Sequence, residues 1–158
     1  MSVVLPNHPK QKLLFFVVSD LDDTIRADMK TLVGSLAASR DWVIGPPLFV
    51  DTREEPQDTS GDDVAIETVG GYLEIHTAWP PWKLPREIDL QHLDEVEQLV
   101  GALGDLSRLR KLEIEFELAG TFVGAIEEGE MDRSLSVGLL GEWRRHLGNG
   151  DDLSRSPG

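Results

Sequence analysis

The chain has 158 residues, is 40% hydrophobic, contains no cysteine and carries a net charge of −14 at pH 7. That length and apolar content fit one globular domain able to bury its own core. The lack of cysteine excludes disulfides and thiolate metal sites. The charge argues against nucleic acid, whose phosphates need a basic footprint, and against anionic membranes.

Residues 1–11 are polar and hold Pro6 and Pro9, which predicts an irregular arm. The N-terminus lacks a signal-peptide pattern and no apolar run reaches membrane-spanning length, so a cytoplasmic setting is expected. Leu13 to Val18 is a continuous apolar run of strand length, suited to a central strand covered on at least part of both faces. Ser19 and Asp20 supply cap chemistry for a helix over 21–38, with a core stripe of Leu21, Ile25, Met29, Leu32 or Val33, and Leu36. Asp22 and Asp23 fall in its first turn, where the helix dipole favours anions.

Trp42 to Ile44 and Leu48 to Val50 read as one strand interrupted by Gly45, Pro46 and Pro47. Residues 51–63 are acidic and polar, the composition of an exposed loop. Gly70-Gly71 then signals a two-residue hairpin between strands over 64–69 and 72–78. Strand parity puts Tyr72, Glu74 and His76 on one face of the second strand. The proline-rich connector from Trp79 to Pro85, which includes Trp82, is stiff and extended. Asp89 caps a second helix with the stripe Leu93, Val96, Val100 and Leu103, ended by Gly104.

Leu112, Ile114, Phe116 and Leu118 alternate strictly with Glu113, Glu115 and Glu117. That is a half-buried strand whose carboxylates face away from the core. A turn over 119–121 predicts an antiparallel return through 122–126. Helices cannot cover such a face, since no core accepts three unpaired glutamates. Met131, Leu135, Leu139, Trp143 and Leu147 recur every fourth residue and predict a third helix, with Leu140 broadening its stripe. Residues 149–158 read as a disordered tail beyond a single domain over 1–148. The expected order is β-α-β-β-β-α-β-β-α. This is an α+β fold: a mixed, largely antiparallel sheet of five or six strands, with three helices mainly on one face.

Asp20-Leu-Asp-Asp-Thr24, directly after the apolar strand, resembles the first motif of the haloacid-dehalogenase-like phosphohydrolases. The resemblance implies a magnesium-dependent phosphohydrolase with Asp20 as nucleophile and Asp22 as general acid/base. The family also needs a lysine and an acidic pair at the ends of later parallel strands, and the hairpin signals after Pro47 do not provide them. Two aspartates that cap a helix account for the same residues. The histidines His8, His76, His92 and His146 form no ligand pair by spacing, so neither a metal nor a cofactor is expected.

In whole-chain character, meaning size, acidity, sheet-and-helix pattern and an open face rich in Glu, Tyr and Trp, the chain resembles the immunity proteins of bacterial toxin systems. That resemblance implies a non-enzymatic protein that occludes a cognate toxin domain with a basic surface. The residues expected to face the partner are Glu113, Glu115, Glu117, Glu74, His76 and Tyr72, with Trp79 and Trp82 as large anchors. The 51–63 loop is the second candidate surface.

Overall fold

The structure, a computed structural model, describes residues 9–18, 21–54, 66–76, 85–145 and 147. Six strands form its sheet: β1 (Lys10–Val17), β2 (Leu48–Glu54), β3 (Ile66–His76), β4 (Glu113–Leu118), β5 (Thr121–Glu127) and β6 (Glu130–Met131). Their order across the sheet is β2-β3-β1-β4-β5-β6, so the first strand of the chain lies inside it. Every pairing is antiparallel. Three helices complete the α+β fold: α1 (Asp23–Ser39), α2 (Arg86–Arg110) and α3 (Ser134–Gly141).

The apolar run in β1 divides by parity. Leu13, Phe15 and Val17 are buried, whereas Leu14 and Phe16 are half-buried. The register sets Leu13 between Leu73 and Leu118, and Phe15 between Gly71 and Phe116. The Phe15 and Phe116 rings lie 6.5 Å apart. One face of the sheet therefore meets the helices. Against it pack Ile25, Met29, Val33 and Leu36 of α1, Leu93, Val96, Leu99, Val100, Leu103 and Leu106 of α2, and Leu135 and Leu140 of α3. Each such aliphatic side chain contributes about 1.5–3 kcal/mol on burial.

α1 follows its predicted stripe, with the cap two residues later than Asp20. The Asp22 carboxylate accepts the Ile25 backbone N–H at 2.8 Å. Asp20 itself, residues 1–8, residues 55–65, Trp79, Trp82, His146 and residues 148–158 lie outside the described residues, and of the loop expected over 51–63 the first four residues instead continue β2 to Glu54. β1 begins at Lys10, so the strand takes in the last two residues assigned to the arm.

Several expectations are corrected. Gly70-Gly71 is no hairpin, because β3 runs through both as one strand. A Cβ on Gly70 would lie 1.9 Å from the Phe15 carbonyl oxygen, and one on Gly71 would lie 2.1 Å from that of Leu48. The glycines let three backbones approach more closely than side chains allow. Only Leu48–Glu54 of the interrupted strand is a strand; Trp42 instead packs beside the core and donates its indole N–H to the Ala37 carbonyl at 3.3 Å. α2 starts after Pro85 and passes Gly104, ending at Lys111 in the left-handed conformation with φ 55°. Its Asp89 is no cap; the carboxylate accepts the Trp143 indole N–H at 2.7 Å. A short β6 follows β5 through Glu128 and Gly129, whose φ values of 49° and 85° fit a two-residue hairpin turn. Ala119 and Gly120 turn β4 into β5 in the same way, with φ of 51° and 84°.

The observed order is thus β-α-β-β-α-β-β-β-α, six strands reached by a different route. α3 is wound as a π-helix over Ser134–Gly141. Its wider turn buries Leu135 and Leu140, five residues apart, and leaves Leu139 only partly buried. Met131 of the predicted stripe belongs to β6 and is exposed.

Candidate protein-binding face

The three helices share the core side, so among the described residues no helix covers the opposite face of the sheet. Residues directly opposite one another in an antiparallel pair stand on the same face. The register therefore writes this open face row by row. Leu48, Tyr72, Leu14, Glu117 and Phe122 form one row. Val50, Gly70, Phe16, Glu115 and Ala125 form the next. Leu48 and Phe122 are 48% and 50% exposed, and Leu14, Phe16, Val50 and Tyr72 are half-buried.

Glu113, Glu115 and Glu117 stand on this face, each half-buried. Successive carboxylate-bearing residues are ~6.8 Å apart along the strand. Like charges at that spacing in water repel by about 0.6 kcal/mol before screening, a cost the sheet carries easily. The neighbours of Glu115 and Glu117 are apolar: Phe16 and Ala125 flank the first, Leu14 and Phe122 the second. At the other end Glu113 stands opposite Glu127. There the surface dips into a depression of ≈ 480 Å³ lined by Glu113, Glu127, Glu128, Glu130 and Asp132, together with Ala125 and Met131.

Tyr72 and Glu74 lie on the same face, as expected. Lys12 sits between them: it pairs with Glu74 across the strands, and its ammonium lies 4.6 Å from the Tyr72 ring centroid. A cation over an aromatic face holds that ring in place. The helical side has its own acids and arginines, joined to one another. Arg40 meets Asp94 and Arg110 meets Asp28, each at 2.6 Å, and Arg144 reaches Glu97.

His76 does not join Tyr72 and Glu74. It is the last residue of β3 and only 7% exposed, with its ring 5.5 Å from that of His92 on α2. The alternation that would have exposed it stops where the strand stops. His92 Nε2 accepts the His76 backbone N–H at 3.2 Å, and His92 Nδ1 lies 3.3 Å from Glu95 Oε1. The other Glu95 oxygen accepts the Val43 backbone N–H at 2.7 Å. Glu95 and His92 share one face of α2, a helical turn apart, which was the available signal. The other residues missed were Leu14, Phe16, Leu48, Val50 and Phe122, which make the open face partly apolar.

Asp22 lines a second depression, of ≈ 330 Å³, with Thr24, Ile25, Leu109, Arg110 and Lys111. The phosphohydrolase motif implies parallel strands beyond it, and the pairings here are all antiparallel. Among the described residues no three His, Asp or Glu side chains gather so as to hold a metal ion. No helix among them is long and apolar enough to cross a membrane. Comparison with protein-family models, curated proteins and solved structures finds no match for this chain.

Proposed function

We propose that the protein is an immunity-type binding protein of the bacterial cytoplasm that neutralises a cognate toxin domain by laying the open face of its sheet across a basic surface. The observation that carries this reading is the ladder of Glu113, Glu115 and Glu117 on a face that no helix covers among the described residues. The carboxylates are held at fixed spacing by the strand, so a basic partner meets an array that is already ordered. Apolar neighbours beside Glu115 and Glu117 suit the aliphatic stems of lysine and arginine, whose charged ends then reach the carboxylates. A net charge of −14 draws such a partner in from a distance.

The mechanism is occlusion: steered, fast association followed by slow release from a desolvated contact. The test is association kinetics with the protein encoded beside this one, at two salt concentrations. Glu115→Lys combined with Glu117→Lys should still fold, since charges that keep contact with water contribute about 0–1 kcal/mol. It should associate at least about tenfold more slowly and with weaker salt dependence. Unchanged kinetics in the folded double variant would remove this face and move attention to the acidic residues of 51–63.

A further inference from the structure

We propose that the apolar half of the open face, formed by β2, β3 and β1, is the anchoring half of the interface, and that its occupant is an amphipathic helix of the partner with lysine or arginine along one flank. The inference rests on the acidic-face reading above and adds what the partner must look like.

The face is divided by strand. Leu48 and Val50 on β2, Tyr72 on β3, and Leu14 and Phe16 on β1 make an apolar strip. The next strand, β4, is the glutamate ladder. The strip spans two strand spacings, ~9.6 Å, which matches the ~10 Å diameter of one helix with its side chains. Only one border of the strip is acidic, since β2 forms the other edge of the sheet. A helix seated there therefore needs its cations on a single flank.

The longitudinal spacing agrees as well. Lysines at i and i+4 of a helix rise ~6 Å apart, against ~6.8 Å between successive ladder glutamates. The flexible stems of lysine or arginine take up the difference. A second copy of this chain is a poorer occupant, because two molecules at −14 repel and would bring like charges together.

The probe is a fluorescein-labelled synthetic peptide with a leucine stripe and lysines at i, i+4 and i+7 on one flank. A scrambled peptide of the same composition serves as control. Anisotropy should show the amphipathic peptide binding at least about tenfold more tightly than the scrambled one. Amide shifts should centre on Leu14, Phe16 and Val50. Phe16→Gln should weaken binding about tenfold. Leu48→Gln, at a half-exposed edge position, should weaken it too and keeps the test valid should Phe16→Gln disturb the sheet. Equal binding of both peptides, or binding that survives both substitutions, overturns the apolar anchor while leaving the acidic face standing. Shifts confined to other surfaces overturn it as well. So does concentration-dependent self-association in sedimentation that Leu48→Gln abolishes, since the occupant would then be a second copy. Full binding of the amphipathic peptide to Glu115→Lys with Glu117→Lys would instead count against the acidic-face reading.

Discussion

His92 accepts the backbone N–H of His76 through Nε2, at 3.2 Å, and so joins the end of β3 to α2. An Nε2 that accepts carries no proton, so the ring proton sits on Nδ1, facing Glu95 Oε1. Both side chains are fully buried, and Glu95 also accepts the Val43 amide. One histidine and one carboxylate thus fasten the strand end, the helix and the segment after α1.

Replacing His92 with alanine should orphan the His76 amide and strip Glu95 of one partner. We expect a loss of about 1–3 kcal/mol in unfolding free energy for the orphaned amide, with a further loss from the Glu95 bond. Glu95→Gln keeps an acceptor for Val43 but can turn a donor towards His92, and should cost about 1–3 kcal/mol. Long-range nitrogen–proton NMR spectra should show His92 protonated on Nδ1. Protonation on Nε2 would contradict the hydrogen bond.

Trp143, in the helical turn that follows α3, ties that segment to α2 through its indole N–H on Asp89, a carboxylate that is 7% exposed. Trp143→Phe should retain most of the packing and lose that bond, at about 1.5–3 kcal/mol. Trp143→Ala should cost about 3–5 kcal/mol. Urea unfolding followed by circular dichroism measures both. Equal losses for the two would mean the hydrogen bond carries all of the contribution.

Ser107 is fully buried at the end of α2. Its hydroxyl donates to the Leu112 carbonyl at 2.6 Å and accepts the Gly129 N–H at 3.0 Å. Ser107→Ala orphans the Gly129 N–H, at a cost of about 1–3 kcal/mol, whereas the Leu112 carbonyl keeps the Glu128 N–H at 3.1 Å. Hydrogen exchange should show the Gly129 amide losing protection before the centre of the sheet does.

Two glycines should respond in opposite directions to alanine. At Gly70 the obstacle is the main chain of β1, which cannot step aside as a side chain would. Gly70→Ala should therefore cost more than the ~1–3 kcal/mol of ordinary overpacking. At Gly34, exposed in α1, an added Cβ meets nothing within 4 Å. Gly34→Ala should stabilise by about 0.4–1 kcal/mol. Thermal unfolding of the pair separates the two.

The glutamate ladder was legible because alternation over 112–118 is a property of the strand itself and needs no partner. The face it occupies followed from the cost of burying charge. Gly70-Gly71 misled because a hairpin turn and a close backbone approach ask for the same residue, and only β1 and β2 on either side decide between them. Gly104 misled in a similar way: the left-handed end of α2 falls on Lys111, a residue with no preference for it. His76 was misplaced by extending alternation to the residue where pairing ends. The aliphatic and phenylalanine side chains of the open face were missed because the apolar run in β1 suited a strand covered on at least part of both faces.

The position of β1 sets the order in which the molecule can assemble. Leu13 pairs with Leu73 on one side and with Leu118 on the other, so the earliest strand made waits longest for its neighbours. β4, β5 and β6 follow one another through two-residue turns and can form locally. Closing the chain around β1 requires long loops, whose entropy must be overcome before any packing is gained. During synthesis, the apolar residues of β1 stay unpaired on one side until β4 has left the ribosome.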